Sequence, residues 1–225
     1  MNQNLFDKVS KLKEENDNFI LGIGNEIYLV DDFVPDDGKR EKYYHFILIA
    51  KDEIGYKALV ELSSRAWYRS AMKYGRRRVP TLKQDLREII TSEVKGHIVA
   101  STACIGGEAA HWVLANEDDK AKEFVKEMTD IFGYDDFYIE LQPSASKEQL
   151  LFNLKAIELF KEYQFIISVD AHYQDKNDYF IRNIDDEEVA KRTKDVKCNV
   201  INLSLEKEAD LFIRNNKVYL KDVEL

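Results

Sequence analysis

The amino-acid sequence predicts an α/β fold in which buried strands alternate with helices. Two observations carry this prediction. Several segments are near-continuous apolar runs of strand length, such as His45–Ala50 and Phe165–Val169, and such runs are typical of strands buried on both faces. The stretches between them carry apolar residues at helical spacing. Because the alternation extends from about residue 19 to residue 172, it favours a parallel sheet with covering helices, open or closed into a barrel.

The first half of the chain begins with a short amphipathic helix, in which Leu5, Val9 and Leu12 share one face. An apolar run broken by Gly22 and Gly24 then predicts a strand entered through a glycine turn. The later helices are predicted where apolar residues recur every three or four positions. In order, the elements are a helix at 5–15, a strand at 19–30, a polar loop at 31–41, a strand at 45–50, a helix at 53–74 ended by Gly75, a turn at 80–81 and a helix at 82–92.

The second half continues the same alternation as far as Tyr173. In order, it predicts a strand at 96–100, a polar loop at 101–107, helices at 108–116 and 119–132, a strand at 136–142, a helix at 147–163 and a strand at 165–169. Residues 174–198 are strongly charged, and the short apolar patches around Asn215 predict a small hairpin. We therefore expect an α/β domain over residues 1–175 and a charged linker with a small C-terminal extension over residues 176–225.

The composition excludes several classes of protein. Hydrophobic residues make up 44% and charged residues 33% of the 225 residues, a balance typical of a globular domain. No apolar run is long enough to predict a transmembrane helix, and the polar N-terminus lacks the apolar centre of a signal peptide. Because the sequence has only two cysteines, far apart, we expect no disulfide framework and place the protein in a reducing cytoplasm, with no membrane partner.

The charge of the chain argues against a stand-alone nucleic-acid-binding protein. The net charge is −9, whereas such proteins usually present a basic surface that replaces counterions. One local exception is the run Arg76, Arg77 and Arg78. This run is either a solvated helix end and loop or a small edge that contacts phosphate groups. We expect any binding of nucleic acid to be weak.

Several polar residues fall beside the predicted buried strands. The carboxyl ends of strands form the working face of α/β proteins, so polar side chains at strand ends tend to meet there. A ring of such residues would suit zinc, iron or manganese better than calcium, because it includes His and Cys. The residues, in strand order, are Glu26, His45, Cys104, Glu140, Asp170 and His172.

Four of these residues also have a structural interpretation. His45 could be a hydrogen-bonded residue at a strand start, and Cys104 a small core residue. Glu140 could face solvent on an edge strand, and Asp170 could cap a turn or helix. Taken singly, these interpretations are sufficient. Taken together they are less satisfactory, because each requires a polar group beside a buried apolar run.

Five segments of the chain carry recognisable motifs in a fixed order. They are NEIYLV at 25–30, HFILIAK at 45–51, STACIGGE at 101–108, FYIELQ at 137–142 and DAHY at 170–173. These segments resemble the PHP (polymerase and histidinol phosphatase) domain of bacterial and phage C-family DNA polymerase III alpha subunits. That family has a glutamate-bearing segment, followed by HLILLAK, SACLGGE, FYLELQ and NDAHY stretches. The resemblance covers roughly residues 5 to 175.

The resemblance implies a distorted seven-stranded α/β barrel of PHP type with a cluster of metals at its mouth. Active family members hydrolyse phosphoesters, and some polymerase PHP domains remove nucleotides in the 3′ to 5′ direction. In such chemistry a metal-activated water attacks phosphorus. The cofactor would be a divalent zinc, manganese or iron ion. Carried over, its ligands would be Glu26, His45, Cys104, Asp170 and His172. As a separate expectation, Glu140 would contact these ligands without binding the metal itself.

The chain also departs from the family pattern. It lacks the opening His-x-His motif and the later Asp-His pair, and it is too short to hold polymerase modules. We therefore expect an N-terminally truncated, incomplete barrel in which the metal is either retained or lost. A barrel without its first strands leaves open sheet edges, which proteins usually cover or pair.

Three hypotheses follow from these features. The first is a replication-associated remnant or split piece of a polymerase, with a structural or interaction role and no polymerase activity. It would self-associate, or pair with a chain that supplies the missing strands, or bind replicative polymerase components. The second is a metal-dependent phosphoesterase or 3′ to 5′ exonuclease. The third is a phage protein that uses its acidic surface to bind a host partner and holds no metal.

Overall fold

The computed structural model describes residues 10–16, 22–34, 42–73, 75–143 and 146–168, together with the backbone of four strands between residues 179 and 220. Two of the predicted ligands, Asp170 and His172, lie outside these residues. Of the predicted N-terminal helix, residues 10–15 are described and are helical. In the part of the chain that is described, no helix has the length and apolar character needed to cross a membrane.

Between residues 23 and 167 the described elements follow the order predicted from the sequence, except that residues 71–82 form three short strands. The strands are β1 (Ile23–Val30), β2 (Tyr44–Ala50), β3 (Ala71–Lys73), β4 (Arg76–Arg78), β5 (Pro80–Leu82), β6 (Ile98–Ser101), β7 (Phe137–Leu141), β8 (Gln164–Ile167), β9 (Tyr179–Asn183), β10 (Asn199–Ser204), β11 (Leu211–Arg214) and β12 (Lys217–Leu220). The helices are α1 (Glu53–Arg69), α2 (Lys83–Ile89), α3 (Glu108–Leu114), α4 (Asp118–Phe132) and α5 (Lys147–Leu159).

A six-stranded sheet with the order β5-β1-β2-β6-β7-β8 forms the centre of the fold. Strands β5, β1, β6, β7 and β8 run in one direction, and β2 pairs antiparallel with both of its neighbours. The sheet is therefore mixed rather than wholly parallel, which corrects the expectation from the sequence. Within the described residues the sheet is open, with β5 and β8 at its edges, and these strands do not close into a barrel.

The reversed direction of β2 follows from the connection that precedes it. A parallel neighbour needs a crossover, usually a helix, whereas antiparallel neighbours can be joined by a loop. The sequence predicts a loop and no helix at residues 31–41, so β1 and β2 pair as adjacent antiparallel strands. As a result the amino end of β2, where His45 lies, is at the same edge of the sheet as the carboxyl ends of the other strands.

The helices begin at residues that can cap them. The Asp52 side chain accepts a hydrogen bond from the Gly55 amide at 3.1 Å at the start of α1, and Ser146 accepts one from the Gln149 amide at 3.0 Å at the start of α5. Such side-chain acceptors satisfy amides that have no partner inside the helix. Asp52 also contacts His97, and these bonds lower the pKa of its carboxyl group, the His97 contact most strongly.

The segment after α1 differs from the sequence prediction. The helix was expected to reach residue 74, but it ends at Arg69 because Ser70 adopts an extended conformation, with φ −57° and ψ 140°. The chain then forms the β3–β4 hairpin, in which Met72 pairs with Arg77, and Gly75 takes the positive φ of 73° that its turn requires. Residues 80–81, expected as a turn, and Leu82, expected to begin a helix, form the short strand β5 beside β1.

The two faces of the six-stranded sheet have different surroundings. Residues of one parity, including Leu29, Phe46, Leu48 and Ile139, are buried against the helices. The Phe46 ring lies within 6.3 Å of the rings of Phe124, Phe132 and Phe137, measured between ring centroids. We call this side the covered face. Alternate residues of a strand point to the same side of the sheet. The apolar residues that alternate along each strand therefore meet on the covered face and form the hydrophobic core there.

A second sheet lies near the C-terminus, with the strand order β12-β11-β10-β9. Strands β11 and β12 pair antiparallel, with Arg214 opposite Lys217. This pairing confirms the hairpin predicted around Asn215. The division of the chain at residue 175 stays a prediction.

Candidate functional site

The polar candidates lie on the other side of the central sheet, which we call the open face. The strand register places Tyr28 opposite His45, Glu26 opposite Ile47 and Ile47 opposite Ser101. Paired residues share a face, and so do residues two apart on one strand. Glu26, His45, Ser101 and Glu140 therefore share the open face. Strand alternation alone sends these side chains away from the core.

Three of the predicted ligands meet at the edge where β2 begins. The Glu26 Oε1 atom lies 2.8 Å from His45 Nδ1, and the Cys104 Sγ atom lies 3.4 Å from the same nitrogen. Both the His45 and the Glu26 side chains remain partly exposed to solvent, by 34% and 57% respectively. The site can therefore be reached from outside, and it brings together a carboxylate, an imidazole and a thiol.

The segment 102–107, which we call the Cys104 loop, is held by backbone contacts. The Gly106 amide donates a hydrogen bond to Cys104 Sγ at 3.3 Å, and the His45 amide donates to the Gly106 carbonyl at 3.1 Å. A side chain cannot replace the hydrogen at Gly107, because a Cβ atom there would lie 2.1 Å from the Thr102 carbonyl oxygen. The loop is thus folded tightly on itself and tied to β2, which fixes the thiol beside the imidazole.

Glu140 occupies the centre of a buried hydrogen-bond network behind the loop. Ser101 Oγ donates to Glu140 Oε2 at 2.5 Å, and Gln142 Nε2 donates to Oε1 at 2.9 Å. Ser168 Oγ also donates to Oε1. The residue is only 3% exposed, and β7 lies between β6 and β8. The alternative that Glu140 faces solvent on an edge strand is therefore wrong.

A cavity of about 290 Å³ lies on the open face beside these groups. Its polar lining includes Glu26, Cys104 and Glu140, and its apolar lining includes Ile47 and Ile166. A pocket of mostly apolar walls with a few convergent polar groups is typical of small-molecule and substrate sites.

The donor set suits a metal ion in its chemistry and in part of its geometry. In a tetrahedral zinc site, a nitrogen and a sulfur ligand lie about 3.6 Å apart, since the bonds are about 2.1 and 2.3 Å. The 3.4 Å between Cys104 Sγ and His45 Nδ1 agrees with that arrangement. The 2.8 Å between Glu26 and His45 is instead a direct hydrogen bond, so Glu26 would have to move outward to share a metal. No group of three or more His, Cys, Asp or Glu side chains among the described residues already has metal-binding geometry.

The arginine run is divided between two environments. Arg76 and Arg77 are exposed on the β3–β4 hairpin, whereas Arg78 is half-buried. The Arg78 guanidinium lies 4.7 Å from the centre of the Tyr43 ring, and Arg77 donates to Ser70 Oγ at 3.2 Å. The first two arginines can meet solvent or a ligand, while the third is partly a packing residue.

A buried ion network on the covered side was not predicted from the sequence. Lys83 Nζ lies 2.8 Å from both Asp31 Oδ1 and Glu108 Oε1, and the Trp112 indole donates to Glu108 Oε1 at 3.1 Å. The second oxygen of Glu108 is buried and has no hydrogen-bond partner among the described residues. The only signal for this network was a polar residue at the start of two predicted helices, which is also where ordinary solvated residues occur.

The pKa values in this network follow from burial and charge. Burial raises the pKa of Glu108, and the hydrogen bond from Lys83 offsets only part of that effect. Burial opposes the charge on Lys83, but the hydrogen bonds that its ammonium group donates to Asp31 and Glu108 raise its pKa overall. The two directions are compatible because Lys83 has two acidic partners, whereas Glu108 has one and an unpaired oxygen. Burial and these acids also raise the pKa of Tyr44 to about 12.

Comparison with known proteins decides the family. Residues 3–144 match the family model described as PHP domain, which is more than half of the chain. The chain belongs to the PHP domain family. The resemblance of its motifs to that family is thereby confirmed, and the described sheet agrees with a mixed α/β PHP fold without showing a closed barrel.

Several DNA polymerases are similar to this PHP domain. A probable DNA polymerase YorL of Bacillus subtilis (strain 168) and a DNA-directed DNA polymerase of Bacillus phage SPbeta are each 38% identical over 188 residues, covering 73% of this chain. The DNA polymerase III subunit alpha of Aquifex aeolicus (strain VF5) is 37% identical over 152 residues, covering 66% of this chain. The matches span 14%, 14% and 12% of those proteins respectively. The chain is thus similar to these DNA polymerases over a small part of their length.

Proposed function

We propose that this PHP domain serves DNA replication as a metal-holding domain with a structural and interaction role, and without polymerase activity of its own. The observation that supports the proposal most is the meeting of the Glu26 carboxylate, the His45 imidazole and the Cys104 thiol at one edge of the sheet. Asp170 and His172 complete the proposed ligand set. The ion is zinc, manganese or iron, because imidazole and thiolate donors favour zinc and iron, and the carboxylate donors also suit manganese. A cytoplasmic location is part of the same proposal.

Elemental mass spectrometry of the purified, untagged protein tests the metal directly. At least one equivalent of a transition metal is expected, and His45→Ala and Cys104→Ser should each lose it. His97→Ala is the matched control, because His97 is also partly exposed and contacts a carboxylate, that of Asp52. A protein that takes up no metal even in excess would contradict the proposal and would favour a metal-free partner-binding role. Equal loss in the control would point to unfolding.

The open face supports a role in association. Tyr28, Ile49 and Ile166 on this face are exposed by 44%, 42% and 40%, and the described sheet ends at two edge strands, β5 and β8. Apolar faces and open edges are usually covered by other protein. We propose that a second copy or further polymerase chain covers this face. A monodisperse monomer in light scattering at micromolar concentration, with no binding to replicative polymerase components, would contradict this.

A metal-dependent phosphoesterase or 3′ to 5′ exonuclease is the second candidate. The cavity beside Glu26, Cys104 and Glu140 favours it, because a substrate phosphate could reach the proposed metal there. In this candidate, Arg76 and Arg77 are phosphate contacts. Release of nucleotides from single-stranded DNA with manganese or zinc should be lost in His172→Ala and retained in His97→Ala. Activity that survives His172→Ala would come from a contaminant and would remove the support for this candidate.

A further inference from the structure

The buried carboxylate of Glu140 has an unusual set of partners. Its two oxygens accept hydrogen bonds from Ser101 at the end of β6, from Gln142 just after β7, and from Ser168 just after β8. All three donors are neutral, and no basic side chain contacts Glu140 among the described residues. Burying a carboxylate without a cation is costly, so an apolar residue would be the stabilising choice if packing were the only requirement. The presence of a carboxylate therefore indicates another requirement, and the feature that its hydrogen bonds provide is a connection between the ends of β6, β7 and β8.

Two of those strand ends lead to a proposed ligand. Ser101 precedes the Cys104 loop, and Ser168 stands two residues before Asp170. Ser101 also accepts a hydrogen bond from the Ala103 amide at 3.4 Å, so its hydroxyl links Glu140 to the loop. Ala103 adopts a positive φ of 56°, a conformation that a non-glycine residue keeps only when its surroundings enforce it.

The backbone of Glu140 holds the same loop from a second direction. The Glu140 amide donates to Thr102 Oγ1 at 2.9 Å, and the Thr102 amide donates to the Tyr138 carbonyl at 3.1 Å. Thr102 and Ala103 are both almost fully buried. Thr102 and Ala103, which precede Cys104, are therefore held to β7 in two ways. Hydrogen bonds through Ser101 connect the carboxylate of Glu140 to Ala103, and backbone groups of β7 bind Thr102. Only the first connection depends on the Glu140 carboxylate.

We infer that Glu140 is a positioning residue, which ties the ends of β6 and β8 to β7 and so sets the Cys104 thiol beside His45. This inference rests on the proposed metal-holding function and extends it to a residue that does not bind the metal. A carboxylate is suited to the task because both of its oxygens accept hydrogen bonds. In Glu140→Gln an NH₂ group, which can only donate, replaces one accepting oxygen. A serine hydroxyl that donated to that oxygen must then rotate, so the Cys104 loop is no longer held in one position.

Cobalt binding and thiol alkylation together test this role, in a Cys198→Ser background where Cys104 is the remaining cysteine. Cobalt(II) is used as the probe because its thiolate charge-transfer absorption reports a bond to Cys104. Glu140→Gln should weaken cobalt binding about 10- to 100-fold, the usual effect of losing a group that orients a ligand. It should also change the rate of Cys104 alkylation by iodoacetamide in the metal-free protein several-fold.

Asp136→Asn is the matched control. Asp136 is also a largely buried carboxylate, and its side chain contacts Lys51 at 2.8 Å. It stands just before the amino end of β7, whereas Glu140 lies near the carboxyl end. The Asp136→Asn substitution should lower the thermal midpoint of unfolding, but the cobalt affinity and the rate of Cys104 alkylation should stay as in the parent protein. If Glu140→Gln does not fold, Ser101→Ala breaks the same path and should give the same two effects.

Three outcomes are decisive. Parent-like cobalt binding and alkylation in Glu140→Gln would overturn the inference. Equal weakening in Asp136→Asn would also overturn it, because the effect would then follow stability alone. If the parent protein binds no cobalt but Glu140→Gln still changes the alkylation rate, the positioning role stands and the metal-holding function fails.

Discussion

The covered and open faces of the central sheet are built by the same six strands but place different demands on each side chain. On β2, Phe46 is 1% exposed beneath the helices, whereas Ile49, three residues later on the open face, is 42% exposed. The polar residues are distributed in the same way, since Glu26, His45 and Glu140 all have open-face parity. One face therefore stabilises the fold, while the other is available for chemistry and contacts.

Truncating one side chain on each face should give the largest difference in the free energy of unfolding. Phe46→Ala is expected to cost about 3–5 kcal/mol, because it leaves a cavity among three aromatic rings. Ile49→Ala on the same strand should cost less than about 1 kcal/mol, because much of that side chain already meets solvent. Urea denaturation followed by circular dichroism measures both. Similar costs at the two positions in dilute, monomeric protein would contradict the difference between the faces, whereas a cost at Ile49 that rises with protein concentration would reflect the proposed cover by a second copy.

The buried ion network allows the covered face to be tested by charge. Lys83→Met should cost about 3 kcal/mol near neutral pH, because it leaves the Glu108 carboxylate buried without its cation. Burial already raises the pKa of Glu108 in the folded chain, so the folded state binds this proton more tightly than the unfolded state does. Stability from this group is therefore present below the ordinary carboxyl pKa and is lost as pH rises through the folded value.

The sign of that effect fixes the pH dependence of the variant. The stability deficit of Lys83→Met should shrink as pH falls toward the ordinary carboxyl range, where Glu108 becomes neutral in both states. Thermal denaturation of parent and variant at several pH values measures this difference. A deficit that grows on acidification would contradict the assignment. The comparison with Arg87→Met, which removes an exposed partner of Glu127, separates burial from general charge effects.

On the open face, Glu26→Gln should affect metal binding and leave folding almost unchanged. The side chain is 57% exposed, so its loss should change the free energy of unfolding of the metal-free protein by less than about 0.5 kcal/mol. Metal affinity should fall, because the amide is a weaker ligand than the carboxylate. Titration with cobalt and urea denaturation in chelator measure the two effects. A large loss of stability without metal would make Glu26 a structural residue.

The smallest expected effect concerns the hairpin arginines. Arg77→Ser, which removes one exposed guanidinium, should lower the slope of log binding constant against log salt for single-stranded DNA by about 0.7, as expected for one lost phosphate contact. Fluorescence anisotropy with a labelled oligonucleotide measures this slope. Arg87→Ser, away from the hairpin, should keep the parent slope. An unchanged slope in Arg77→Ser would leave this arginine as a solvated residue.

The buried strands β1, β2, β6, β7 and β8 could be predicted from the sequence, because short apolar runs bounded by polar residues are typical of such strands. The short strands β3, β4 and β5 lack such runs and were not predicted. Direction could not be read from those runs, since hydrophobic periodicity is the same for parallel and antiparallel strands. The lack of a helical pattern in residues 31–43 was the available signal for an antiparallel β2. The end of α1 was missed because Tyr68 and Met72 extend a helical pattern on its exposed side, although neither side chain is buried enough to hold a helix there.

The candidate site was predictable only in part. Glu26, His45 and Cys104 were found because their motifs resemble a family and their positions fall at one end of the sheet. Ser101 and Ser168 were missed, because a serine after a strand is a common turn residue and its bond to a residue on another strand is a product of tertiary structure. The burial of Glu140 could not be read from FYIELQ, since that pattern does not tell whether β7 is a central or an edge strand.

The reversed direction of β2 has a consequence for how the protein folds. Strands β1 and β2 form a continuous antiparallel ribbon from contacts close in the chain, whereas β6, β7 and β8 must wait for their crossover helices to close longer loops. We expect the ribbon to be structured in the folding transition state, with high φ-values, and the parallel half to consolidate later. Glu26 and His45 would then be in place first, and the arrival of the Cys104 loop would be the event that completes the site.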